Sequence, residues 1–293
     1  MPRITSVVCA LLGAILPAWA CGEEQSRWSP VTAKYEIEVV ENPTFPVKSF
    51  HGEIDAQVAS ESELDRYAEI LNAEFTVYPP NFIEKSQIQK IVLCQDLTFA
   101  GQKRWAIPEF EHHTLYLDIH NDSTDYLRRV IHHDVFHLVD VADDGHLLED
   151  ARWAALNPTD FRYGNGGASA LNDSSTSVLT DKYPGFLNHY STTGIEEDKA
   201  EIFCYMIMEP EHIEQQSSKN PVMKLKVEMM RSLVLKLSPE MNDEFWGKIK
   251  SRREPASPES SLTPLIFSVL VCSGVLGSVM WIRQRRSVFN VPS

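Results

Sequence analysis

The alternation of apolar and polar residues along the chain predicts a mixed α+β domain. Residues 33–41 alternate with a period of two, which is typical of a half-buried strand. Apolar runs predict two more strands at residues 88–94 and 114–119. The last of these could be a sheet edge on which an extended peptide lies, or an ordinary core strand. Residues 147–190 show no regular period and predict a long, loop-rich insert.

Apolar residues at three- and four-residue steps predict helices in both halves of the chain. The first begins at Ser60, which forms a capping box with Glu63. The predicted helices further along cover residues 123–146, 194–208 and 221–237. Ser123 or Asp122 can cap the first of these three, and Gly145 can end it. Pro79-Pro80 is expected to stop the helix that begins at Ser60.

Both ends of the chain differ from the domain between them. Arg3, an apolar run and Ala18-Trp19-Ala20 predict a secretory signal peptide over residues 1–20. Residues 264–282 are apolar and uncharged, long enough to span a bilayer, and three arginines follow them on the expected cytoplasmic side. A buried C-terminal helix is the alternative. The predicted organisation is a signal peptide (1–20), an extracytoplasmic domain (21–250), a linker (251–263), a transmembrane helix (264–282) and a cytoplasmic tail (283–293). We therefore expect an exported protein that is anchored in a membrane of the cell envelope.

Charge and cysteine content narrow the possible partners. The formal net charge is −14, and because the four arginines of the two ends contribute +4, the residues between them carry −18. A surface so acidic is not expected to bind nucleic acid. Cys21 follows the predicted cleavage site, so lipidation is a minor alternative there. Export would permit a disulfide between Cys94 and Cys204, but two buried free thiols are the preferred interpretation.

Residues 132–137, H-H-D-V-F-H, carry the first candidate chemistry. On a helix, His133 and His137 lie on one face with their Cβ atoms about 5–6 Å apart, so they can bind one metal ion. Zinc accepts such a pair and needs at least one more protein ligand. The motif H-D-x-x-H is one methylene shorter than the zincin motif H-E-x-x-H, in which the acid acts as general base. A core helix with a few hydrogen-bonded histidines is the alternative. His132 projects about 100° away and is interpreted as a supporting or surface residue.

A third ligand is expected from the separate helix at residues 194–208. Thr193 and Glu196 can form its capping box. Glu197 lies at the border of its apolar face, where a buried acid would need a cation. Glu201 is interpreted as a surface acid or an alternative ligand. The acids expected to be solvated residues near the end of the histidine helix are Asp140, Asp143 and Asp144.

Together these motifs resemble zinc-binding metallopeptidases of the gluzincin type, relatives of the catalytic domain of anthrax lethal factor. The stretches that carry the resemblance are H-H-D-V-F-H, Tyr183-Pro184-Gly185-Phe186, Tyr190 and Glu197 to Phe203, within roughly residues 110–210. In that family the first Glu of E-x-x-A-E is the third zinc ligand, and a Tyr seven residues earlier stabilises the oxyanion. The resemblance places these roles on Glu197 and Tyr190. The family has Glu at the position of Asp134.

The resemblance implies an α+β zincin-like domain that hydrolyses peptide bonds in a peptide or protein substrate. The apolar stretch 264–282 would anchor this domain in a membrane. Zn²⁺ would be held by His133, His137 and Glu197, with Asp134 as the base and Tyr190 as the oxyanion donor. One alternative is a zincin-fold module that binds metal or peptide without turnover, because Asp134 does not reach the water. Another is a membrane-tethered interaction domain with no metal.

Overall fold

The computed structural model describes residues 26–167, 170 and 174–253, in which strands dominate the first half and helices the second. The strands are β1 (Glu38–Val40), β2 (Val47–Ser49), β3 (Gly52–Val58), β4 (Lys90–Phe99), β5 (Gln102–Lys103), β6 (Ala106–Glu109) and β7 (Thr114–Asp118). The helices are α1 (Ser29–Tyr35), α2 (Glu61–Phe75), α3 (Pro80–Ser86), α4 (Thr124–Asp144), α5 (Ala151–Ala154), α6 (Ile195–Met208), α7 (Pro210–Lys219), α8 (Pro221–Leu237) and α9 (Asp243–Arg253). The expected mixed α and β content is confirmed.

The strands of the described residues form one mixed sheet in the order β2-β3-β4-β7-β6, with β1 and β5 also paired to β4. Strands β4 and β7 run parallel, whereas β6 runs antiparallel to β7. All five residues of β7 are buried. The suggestion that residues 114–119 form a sheet edge is therefore wrong, because β6 covers that side of β7. The edge strand on this side of the described sheet is β6, which the apolar pattern does not predict.

The sheet separates two apolar layers. Alternate residues of β4 point to opposite faces, so Ile91 and Leu93 join the large core under the helices while Val92 and Cys94 join a smaller cluster on the other face. Cys204 lies in α6 and is also buried. Both cysteines are free thiols, which confirms the preferred interpretation over a disulfide.

Several helix boundaries follow directly from the sequence. Ser60 and Glu63 make the reciprocal capping box of α2, as predicted. The Ser123 side chain accepts from the Tyr126 N–H at the start of α4, and Gly145 ends that helix with φ of 78°, a left-handed conformation that glycine adopts easily. Helix α8 has the predicted bounds. The boundaries at Ser60, Ser123 and Gly145 were therefore predictable from local capping chemistry.

Other predictions of local structure are wrong. Residues 29–35 are helical, so only the last part of the strand expected at 33–41 is extended. Helix α2 ends at Phe75, ahead of Pro79-Pro80 as expected, but Pro80 also begins a further helix, α3, because proline is tolerated at the first helical position. Gly194 caps α6 without a side-chain hydrogen bond, so the Thr193–Glu196 capping box is absent. Helix α9 runs to Arg253, three residues into the expected linker.

The predicted signal peptide, transmembrane span and cytoplasmic tail lie outside the described residues. Within the described part, no helix is both long and apolar enough to cross a membrane.

Candidate metal centre

Helix α4 presents His133 and His137 to the interior of the domain, one turn apart. Both are buried, with 5% and 6% of their surfaces exposed. Their Nε2 atoms lie 3.0 Å apart and their rings are nearly perpendicular. Two ring nitrogens that face each other at this distance need a shared proton or a shared cation between their lone pairs.

Helix α6 packs against α4 and brings Glu197 to the same point. Its Oε2 lies 2.9 Å from His133 Nε2 and 3.5 Å from His137 Nε2. Tetrahedral ligands about 2.0–2.1 Å from a zinc ion lie about 3.3 Å from one another. The three separations of 2.9, 3.0 and 3.5 Å match that spacing closely. His133, His137 and Glu197 could therefore hold a metal ion, and the His₂Glu set is one that catalytic zinc sites use.

Glu201 sets the orientation of the first histidine. One turn after Glu197, it is fully buried and its Oε1 lies 2.8 Å from His133 Nδ1. This bond favours the proton on Nδ1 and leaves the Nε2 lone pair free to face the metal position. Glu201 is itself held by Arg129 and by Asn188, whose Nδ2 donates to it over 2.6 Å. The expectation of a surface acid is wrong, because the helix that carries Glu201 is enclosed on every side.

The centre is strongly polarised. Burial lowers the pKa of His133, but hydrogen bonds to Glu197 and Glu201 outweigh it and raise that pKa to about 10. For Glu197, burial raises the pKa, yet the two histidines pull it well below its usual range. Without a metal ion, the side chains thus hold a proton on His133 against an ionised Glu197. A divalent cation would take the place of that proton.

Asp134 and Tyr190 border the same centre. Asp134 lines the cleft beside both histidines, and burial raises the pKa of its carboxyl. Tyr190 begins a short 3₁₀ turn, Tyr190–Thr192, and its ring centroid lies 5.9 Å from that of His133. Burial and the neighbouring Glu197 carboxylate raise the pKa of Tyr190 well above its ordinary value, so its hydroxyl stays protonated and can donate.

Gly167 lets a loop pass directly over the centre. A Cβ at this position would overlap the Glu197 carboxylate and the Tyr190 hydroxyl, so only glycine fits. The loop is fixed to the α6 entry by the Gly166 N–H, which donates to the Thr193 carbonyl over 2.7 Å. This contact was not predictable from the sequence, in which Asn165-Gly166-Gly167 belongs to a stretch without a regular period.

The centre opens into a cleft of about 580 Å³ between β6, α4 and the loop at Gly167. From β6 and the residues before it, Arg104, Trp105, Ala106 and Pro108 line one wall. The cleft is large enough for a short stretch of extended peptide.

His132 and Asp140, two further polar residues of α4, are buried away from solvent. His132 is fully buried, and it bonds Tyr78 through Nδ1 (2.7 Å) and Glu74 through Nε2 (3.0 Å). Asp140 is only 3% exposed and pairs with Lys199 of α6. The expectation that Asp140 is solvated is wrong, and the surface alternative for His132 is excluded, because both side chains are buried against other elements.

A second group with metal-ligand chemistry occurs in the turn between β6 and β7, at Glu109, Glu111 and His112. The Glu109 carboxylate already accepts the backbone N–H groups of Glu111 and His112, and the latter two side chains are exposed. These hydrogen bonds show that the Glu109 carboxylate stabilises the turn, which explains why the three side chains lie close together.

Comparison with known proteins gives one likeness of fold. No protein-family model matches the chain. No curated protein matches it either. A solved structure described as "a putative zinc-binding metallo-peptidase from Bacteroides caccae ATCC 43185" superimposes with a TM-score of 0.50. The two chains are 16% identical, and the match covers 78% of this chain and 90% of that one. At this identity the likeness shows a shared fold.

Proposed function

We propose that this chain is a zinc-dependent peptidase with a zincin-type active site. The observation that carries the proposal is the convergence of His133, His137 and Glu197 from two helices at zinc-like separations. The Glu201 hydrogen bond, which presents the correct nitrogen of His133, supports it. The fold likeness to a structure described as zinc-binding supports the same choice of metal.

The residues around the centre have distinct roles in this proposal. Zinc, when bound, supplies a Lewis acid that polarises a peptide carbonyl and makes water more acidic. The Asp134 carboxylate accepts the proton of the attacking water and returns it to the leaving amine, for which its raised pKa is suited. The Tyr190 hydroxyl donates to the oxygen on which negative charge develops. Asp134 is buried and Tyr190 is half-buried, and the reduced access of water strengthens these interactions.

The open edge of β6 supports an extended peptide as substrate. The Asp118 N–H donates to the Trp105 carbonyl over 2.9 Å, which fixes the hydrogen-bonding register with β7. Since antiparallel pairs alternate, Ala106 directs its N–H and C=O outward, and Pro108 directs its C=O outward. A peptide strand can bond to these groups while it lies along the cleft.

The test combines metal content with hydrolysis. The protein purified in zinc-containing medium should carry close to one zinc per chain, and His137→Ala should lose it. His132→Ala is the matched control in the same helix and should keep zinc, because its ring faces Tyr78 and Glu74. Asp134→Asn should keep zinc and lose about 10²–10⁴-fold in the hydrolysis rate of a peptide library. Stoichiometric zinc in His137→Ala would refute the site.

A second candidate is a metal- or peptide-binding module that does not turn over. It is favoured by Asp134, whose carboxylate is one methylene shorter than that of the usual glutamate. In that case the wild type and Asp134→Asn are equally inert, and Asp134→Glu gains activity.

We further propose that the chain is exported and anchored by residues 264–282, on the sequence pattern alone. Truncation after residue 263 should then release a folded domain from membranes. Recovery of the full-length chain in the soluble fraction would contradict the anchor.

A further inference from the structure

One wall of the cleft carries a cation that no described acid neutralises. Arg104 lies two residues before β6 and lines the cleft together with Ala106 and Pro108 of that strand. The Arg104 guanidinium donates to the Lys103 carbonyl over 3.0 Å and to Gln102 Oε1 over 3.1 Å. Within the described ranges, no carboxylate oxygen lies within 4.0 Å of it.

The other arginine of the cleft shows the contrast. Arg129 is almost fully buried, pairs with Glu201 and lies with its guanidinium 5.6 Å from the centre of the Tyr190 ring. The positive charge of Arg129 is therefore already neutralised inside the protein by Glu201. Arg104 is half-buried beside the space that a peptide would occupy, in a chain with 41 acidic residues against 27 basic ones. Among the described residues, its hydrogen-bond partners are two neutral oxygens, the Lys103 carbonyl and Gln102 Oε1.

Arg104 keeps its positive charge at any ordinary pH, since a guanidinium does not lose its proton in proteins. Its planar set of donors fits a carboxylate through two parallel hydrogen bonds. Partial burial weakens the competition from water, so such a pair is stronger here than on an open surface. Long-range repulsion by the acidic surface is screened beyond about 8 Å at physiological salt.

We propose that Arg104 makes the cleft selective for peptides that place a carboxylate opposite it. The proposal rests on the peptide-binding function proposed above and specifies its substrate class. The carboxylate can belong to an Asp or Glu side chain or to the C terminus of the peptide. Because Arg104 precedes β6 by two residues, the carboxylate lies toward the start of that strand, at one fixed position of the bound peptide.

The test uses zinc-loaded protein and a series of peptides, each of which the protein cleaves at the same single bond. In one arm, a single Glu is moved along the peptide and compared with Gln at each position. In the other, a free C terminus is compared with an amide. We expect a preference of about tenfold or more for the charged form at one position, which is the scale for a charge-assisted hydrogen bond. The preference should decrease as salt increases.

Arg104→Gln should remove the preference, Arg104→Lys should keep part of it, and Arg104→Glu should favour Lys at the same position. Arg152→Gln is the matched control, because Arg152 is exposed and does not line the cleft. It should keep the full preference. Unchanged discrimination in Arg104→Gln would overturn the proposal.

Binding of the same peptides, measured by fluorescence anisotropy, separates this proposal from the proposed activity. Binding that depends on both the carboxylate and Arg104, with no hydrolysis, supports the selectivity and refutes the peptidase. Hydrolysis without discrimination at any position refutes the selectivity and supports the peptidase. An absence of carboxylate-dependent binding overturns the selectivity in either case.

Discussion

Replacing Glu201 with Gln tests how the metal centre is built, because one carboxylate orients a ligand and neutralises a buried cation. Glu201 is fully buried and contacts His133, Arg129 and Asn188. Glutamine has the same shape but no charge. The substitution should therefore weaken both metal binding and folding, by separate physical routes.

The two magnitudes can be worked out independently. Loss of a carboxylate behind a ligating histidine costs about 10- to 100-fold in metal affinity, or about 1.4–2.7 kcal/mol. The same change leaves Arg129 buried without its counter-charge, which costs about 3–5 kcal/mol of folding stability. For a domain of this size that corresponds to a fall in Tm of roughly 6–20 °C.

A double variant separates the two effects. Arg129→Gln with Glu201→Gln replaces the ion pair by two neutral amides, so much of the stability should return while zinc affinity stays low. Zinc affinity is measured by competition with a chromophoric chelator, and stability by thermal unfolding of the metal-free protein. Glu244→Gln, at an exposed pair with Lys248, is the control and should change neither quantity. Zinc affinity within twofold of wild type in Glu201→Gln would refute the argument that Glu201 orients His133.

Three further changes have defined outcomes. Gly167→Ala should lower zinc affinity and activity with unchanged helix content by circular dichroism, because its Cβ overlaps Glu197 and Tyr190. Asp198→Ala should cost about 3–5 kcal/mol in urea unfolding, because it removes the acceptor of a buried lysine. In the metal-free protein, His133 stabilises the fold below its unfolded pKa of about 6.5 and loses that contribution as pH rises through about 10. Urea unfolding from pH 6.5 to 10 should show this decrease in the metal-free form and not in the zinc-loaded form.

The histidine helix was predictable because its information is local. The Ser123 side chain caps the start of α4 and the left-handed backbone of Gly145 ends it, and the positions of His133 and His137 follow from helical geometry alone. Glu197 required the resemblance as well, since nothing in a single helix shows which acid points toward another helix.

The sheet edge was not predictable from the pattern. Strand β6 has four residues, one of them Pro108, and proline argues against a strand except at an edge. Pro108 is tolerated because β6 is an edge strand and the backbone nitrogen of Pro108, which has no hydrogen to donate, faces away from β7. For residues 114–119 the pattern left an edge strand and a core strand open, and the core strand is what forms. A strand's neighbours are set by topology, which apolar runs do not encode.

Helix α6 shows most clearly why sequence periodicity could locate the site but not describe it. The rule that charged residues face solvent assumes a helix with one exposed side, whereas all 14 residues of α6 are buried. Its charges must then be satisfied inside the protein. Glu197 faces the histidines, Asp198 accepts from Lys226, and Lys199 pairs with Asp140 and Asp150, while Glu201 binds Arg129. Neighbouring charges thus reach in several directions, to α4, α8 and the loop before α5. Helix α6 is fixed by these ion pairs to its neighbours on several sides, and the sequence pattern of one helix does not predict such pairs. Because α6 is fixed in this way, Glu197 stays beside His133 and His137.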